Sequence, residues 1–127
     1  MKILNLKHFL SFRQERTLNN LNELVERQKE LMPHQVAVAS GCTVDEAMGI
    51  LMLLTVDKMA EAYLLIYHIL DDTDPPVPIL ARRLTDGFPE IPFVCDNCER
   101  EITDTNELRY DFLFKIGSTL RFTYLSE

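Results

Sequence analysis

The sequence predicts an α+β protein, with a helical N-terminal part followed by a small antiparallel β subdomain. Three observations predict it. Leu18, Leu21, Leu24, Val25, Leu31 and Met32 recur at spacings that place them on one helical stripe. Thr43-Val44-Asp45-Glu46 reads as a capping box opening a further apolar helix. Leu108, Tyr110, Phe112, Phe114 and Ile116, and then Leu120, Phe122 and Tyr124, alternate with the period of strands. The 127 residues are 46% hydrophobic and 26% charged, ordinary values for a folded domain that exclude a disordered chain. The longest apolar stretches, Gly49 to Val56 and Ala62 to Tyr67, fall far short of the roughly 18–20 residues of a membrane span, so no membrane association is expected. Asn5 and Lys7 interrupt the apolar run that a signal peptide needs, so the chain is expected to stay in the cytoplasm. There, three cysteines point to free thiols or a metal pair rather than a disulfide framework.

Taken in order, residues 6 to 31 read as one long helix, or two short ones broken near Thr17 to Asn20. Pro33 stops that pattern and opens a short helix to Ser40, which Gly41 ends in a left-handed turn. The capped third helix runs to about Val56, and Met59 to Leu70 reads as a strand rich in aromatic and β-branched residues. Asp71-Asp72-Thr73-Asp74-Pro75-Pro76-Val77-Pro78 reads as an acidic, proline-rich linker. Ile79 to Leu84 is expected to form a helical turn or two. Gly117-Ser118 is expected to close a tight hairpin between the last two strands. The predicted division is residues 1–70, a linker at 71–78, and a β subdomain at 79–127.

The order of the first part, and the segment His34 to Ala47 with small residues at Ala37 and Ala39, glycine in the turn and a polar cap, resembles a winged helix-turn-helix domain. The resemblance covers Leu18 to Ile69; a plain three-helix packing unit is the competing reading. In such a domain the third helix would read DNA with cationic or amide side chains. Here it opens with Asp45 and Glu46 and carries no Arg or Lys before Lys58, so specific DNA binding through it is not expected. Charge is uneven along the chain: residues 1–32 carry six basic against four acidic groups, whereas residues 71–127 carry six against twelve.

Cys95-Asp96-Asn97-Cys98 has the spacing of one zinc knuckle, and the stretch Phe93 to Tyr124 is similar to a zinc ribbon. The second pair of a ribbon, due about 15–20 residues later, is missing. Cys95 and Cys98 are therefore candidate metal ligands with three readings open: no metal and two leftover thiols, a zinc ion shared with another chain, or a site completed by Cys42, His68 or His34. The acid run at Asp71, Asp72 and Asp74 reads as solvated linker rather than a metal site. A winged helix followed by a ribbon-like unit is similar in order to the alpha subunit of transcription factor E, a family that implies work through protein contacts.

His8, His34 and His68 form no catalytic signature, and no enzyme activity is expected. The expected function is a protein-interaction adaptor, an accessory subunit of a bacterial or phage-related multi-protein system, forming a homo-oligomer or hetero-complex. Leu18, Leu21, Val25, Ile50 and Leu53 are the candidate partner-binding residues, because these apolar faces exceed what one small wing covers. The alternative is a DNA-binding regulator that contacts phosphates with a basic N-terminal helix.

Overall fold

A computed structural model describes every residue except Asp72 and Glu127. The chain is a mixed α+β protein that forms two compact units, Met1–Ala62 with Phe114–Glu127, and Tyr63–Leu113. The division is discontinuous, so both ends of the chain belong to the first unit. The stretch 71–78 lies inside the second unit; its Asp72 falls outside the described residues.

The first unit begins with strand β1 (Lys2–Asn5) and a 3-10 turn at Leu10–Arg13, followed by helix α1 (Glu15–Arg27). The single long helix expected from residue 6 does not form. Lys2 to Asn5 pair in parallel with Leu120 to Thr123, which is strand β8, and a strand ladder there excludes helical hydrogen bonding. Gln14 is extended and offers no side-chain cap, so the start of α1 carries no signal in the sequence; the helix then runs unbroken through Thr17–Asn20. Strand β2 (Glu30–Leu31) precedes helix α2 (Pro33–Ser40), where proline occupies the first turn and Gly41, at φ 87°, ends the helix in the left-handed region. Helix α3 (Val44–Val56) opens with the expected capping box: the Glu46 N–H donates to Thr43 Oγ1 at 3.0 Å, and the Thr43 N–H donates to Glu46 Oε1 at 3.1 Å.

Leu120 and Phe122 of β8 are buried, and β8 packs on α1. The buried Asn22 of α1 fixes this strand twice, donating to the Phe122 carbonyl at 3.0 Å and accepting from the Phe122 N–H at 2.7 Å. The expected tight hairpin at Gly117-Ser118 is therefore absent: β8 finds its partners in β1 and Asn22, and its period-two pattern reflects burial against a helix. Leu21, Leu24 and Val25 are buried on the same face of α1, and Ala47, Ile50, Leu51 and Leu54 form the buried face of α3.

Strands β3 (Ala60–His68) and β7 (Leu108–Ile116) run through both units, in a sheet of strand order β2-β7-β3-β4. Within the second unit, strand β4 (Leu80–Arg83) pairs antiparallel with β3, Tyr63 opposite Arg83. This replaces the helical turn expected at Ile79 to Leu84, since β3 offers these residues a ladder; a 3-10 turn follows only at Leu84–Asp86. Strands β5 (Phe93–Val94) and β6 (Glu101–Ile102) form a two-residue antiparallel ladder around the cysteine pair. Among the described residues no single helix is long and apolar enough to cross a membrane, and α2 and α3, which pass that test only as a pair, are bent by 118° at their junction.

Candidate metal centre

The second unit gathers four donor side chains at one point. Strand β3 alternates buried positions with exposed or half-buried ones, and its last residue, His68, falls on the buried face with Leu64 and Ile66. The chain then turns sharply, with the Asp71 N–H donating to the His68 carbonyl at 3.1 Å, which returns the Asp71 carboxylate to the imidazole. Between β5 and β6 the backbone folds as a knuckle: the Cys95 N–H donates to the Arg100 carbonyl and the Glu99 N–H to the Cys95 carbonyl, both at 2.9 Å. Glu99 takes φ 63°, a left-handed conformation that costs a non-glycine residue about 1–2 kcal/mol and is what lets the chain close beneath the two sulfurs.

His68 Nδ1 lies 3.0 Å from Asp71 Oδ1 and 3.5 Å from Cys98 Sγ, and Cys95 Sγ lies 3.4 Å from Asp71 Oδ2. All four donor atoms lie within 4.8 Å of one another. The imidazole is 1% exposed and the Asp71 side chain 6%. A set of two sulfurs, one nitrogen and one carboxylate oxygen at these distances could hold a metal ion.

Two further residues orient the donors. Asn97, inside the knuckle, donates from Nδ2 to Asp71 Oδ2 at 2.9 Å. Glu107, at the end of the 3-10 turn Thr105–Glu107, places Oε1 3.3 Å from His68 Nε2 while its Oε2 accepts from the Asp104 N–H at the same distance. The hydrogen bond from Asn97, with others from Cys98, Cys95 and His68, holds the Asp71 carboxyl down at about 2 against the opposing effect of desolvation. At Cys98 the backbone N–H of Arg100 favours the thiolate, but desolvation and the adjoining Asp71 and Cys95 outweigh it and push the thiol up.

Comparison of the chain with protein-family models, with curated proteins and with solved structures finds no match. The assignment of this centre therefore rests on its geometry.

Of the candidates for completing the cysteine pair, His68 joins it, while Cys42 and His34 sit in the first unit and take no part. One chain thus brings four donors together without a second copy. Asp71, read from the sequence as solvated linker, is a member of the cluster, and Glu107 and Asn97 carried no sequence signal beyond their polarity. Cys42, in the turn between α2 and α3, is half-buried, and desolvation with the nearby Glu46 charge raises its thiol to about 11, which leaves it protonated and inert near neutral pH. Among the candidate partner-binding residues, Leu21, Val25 and Ile50 are buried inside the chain, Leu18 is half-buried, and Leu53 alone is exposed.

Proposed function

We propose that this chain is a non-enzymatic protein-interaction module built on a winged helix-turn-helix, an accessory subunit that docks another protein on the exposed face of α3. The winged-helix reading is supported by the order α1-β2-α2-α3-β3-β7, with β2 beside β7 and β7 beside β3. In that reading residues 69–107 are an insertion in the wing. The observation that carries the function is the character of the α3 surface. Gly49, Leu53 and Val56, at positions i, i+4 and i+7, share one face. Leu53 is 45% and Val56 73% exposed, and a Cβ at position 49 would stand 3.0 Å from the Phe9 ring that lies there. With no Arg or Lys in the helix, this surface fits an apolar protein face far better than a phosphate backbone.

The DNA-binding alternative depended on a basic N-terminal helix. Helix α1 carries Arg16 and Arg27 against Glu15, Glu23 and Glu26, a net charge of −1, while Lys2, Lys7 and Arg13 lie outside it. The decisive experiment captures proteins from the source organism on tagged wild type, on Leu53→Asp/Val56→Asp, and on a control altered on the exposed Val94 of the other unit. A protein held by wild type and the control but lost from the α3 variant is expected. Tight, salt-dependent duplex binding that survives the α3 substitutions would overturn the reading.

A further inference from the structure

We infer that His68, Asp71, Cys95 and Cys98 of a single chain bind one Zn²⁺ ion as a closed tetrahedral site, and that this ion takes the place of the hydrophobic core that the second unit lacks. The inference is independent of the α3 surface and stands or falls separately from it.

The geometry matches the metal. Zinc bonds to oxygen or nitrogen of about 2.0 Å and to sulfur of about 2.3 Å set the edges of a ligand tetrahedron at about 3.3–3.8 Å. The recorded separations of 3.0 Å from His68 Nδ1 to Asp71 Oδ1, 3.5 Å from His68 Nδ1 to Cys98 Sγ and 3.4 Å from Cys95 Sγ to the other carboxylate oxygen, Asp71 Oδ2, fall close to those edges, and with all four donors within 4.8 Å a small contraction of the set around an ion would close the tetrahedron. Thiolate with imidazole is a set that selects zinc over the hard oxygen-seeking cations magnesium and calcium. Glu107 supplies what an isolated cysteine-histidine cluster has no reason to possess. Its carboxylate takes the far imidazole nitrogen, which holds the ring with Nδ1 towards Cys98 Sγ and Asp71 Oδ1, where it would give its lone pair to the ion once the proton shared with Asp71 is displaced, the carboxylate–histidine–metal arrangement of zinc sites. Glu107 is thus a positioning residue that acts through His68.

The need for an ion follows from burial. Within residues 63–113 the buried hydrophobic side chains among the described residues are Leu64, Ile66, Cys95 and Ile102, whereas the first unit buries Phe12, Phe114, Phe122 and a long series of aliphatic residues. A unit of this size with so small a core is held by staples rather than by packing. His68 and Asp71 follow β3, and the cysteines lie between β5 and β6, so one ion would tie together segments that share few apolar contacts. With four protein donors the ion has no open position for a substrate, which assigns it a structural role.

The test is titration of metal-free full-length chain with Co²⁺, followed by displacement with Zn²⁺. Expected are one equivalent per chain, the intense visible bands of tetrahedral cobalt with thiolate charge transfer, and loss of those bands in Cys95→Ser/Cys98→Ser. Asp71→Ala is expected to shift the bands and weaken binding as water takes the fourth position. Glu107→Gln is expected to keep spectrum and stoichiometry while weakening affinity about 10–100-fold, and Asp96→Asn, a neighbouring acid outside the cluster, to change neither. Half an equivalent per chain, a pale octahedral spectrum, or an Asp71→Ala protein identical to wild type would overturn the assignment.

Discussion

Glu46 shows how much one side chain can organise. Oε1 accepts from the backbone N–H of Thr43, closing the cap of α3, and from the Ser11 hydroxyl, while Oε2 accepts from the backbone N–H of Ser11. The N-terminal 3-10 turn is thereby tied to the start of a helix 35 positions away. Partial burial by itself would raise this carboxyl, but the hydrogen bonds from Ser11 and Thr43 prevail and hold it below the ordinary carboxylate value. A group whose folded pKa is depressed stabilises the fold fully above its unfolded value, about 4.3 for Glu, and loses that contribution as pH falls through the lower folded value. Glu46→Gln keeps the shape and removes the charge. It is expected to lower stability by about 1 kcal/mol at neutral pH, the scale of a helix cap. Denaturation curves of the two proteins should differ at pH 7 and converge on acidification below the carboxylate range; a gap that persists unchanged at pH 2 would show that the charge is not the cause.

At the scale of elements, α1 and β8 depend on each other. Replacing Asn22 with alanine leaves the N–H and carbonyl of Phe122 without partners in a buried place, at about 1–3 kcal/mol for each group. Asn22→Ala should therefore cost on the order of 2–4 kcal/mol, read as a drop in the urea midpoint with unchanged slope, whereas alanine at the exposed neighbour Glu23 should be near neutral. The same pair marks the border of what the sequence reveals. Helices α2 and α3 were legible because Pro33, Gly41 and the Thr43–Glu46 box are local signals that act within a few residues, β3 was legible from its run of aromatic and β-branched residues, and β7 from its period. Strand β1, by contrast, exists because its partner lies at the far end of the chain, and Asn22 looks like any polar residue on a helix until Phe122 is placed against it. The candidate metal centre divides the same way. Cys95-x-x-Cys98 announces itself, but His68, Asp71 and Glu107 are distant in sequence, and an acid among prolines carries the composition of a linker until the fold turns it inward.

At the scale of the whole molecule, the two units bury very different amounts of apolar surface, and if the second is held by the proposed zinc ion, a chelator distinguishes them. The first unit buries Leu6, Phe12, Leu21, Val25, Leu31, Ile50, Leu51, Leu54, Phe114 and Phe122, enough apolar surface to persist without help. Residues 63–113 have short ladders, the β5–β6 pair spanning two residues on each side, and little apolar burial. Their local stability then rests on the ligand set, and binding free energy at such a centre is folding free energy for the segments it joins. A chelator should accordingly leave α1, α2 and α3 protected from amide hydrogen exchange while protection collapses at the Cys95 and Glu99 amides of the knuckle and at the Ile69 amide, which donates to the Glu107 carbonyl at 2.9 Å. Far-ultraviolet helicity should hardly change, and re-addition of zinc should restore the lost protection. Uniform loss of protection across both units on chelation would mean that the molecule unfolds as one body. Full retention in residues 63–113 would mean that Leu64, Ile66 and Ile102 suffice without an ion.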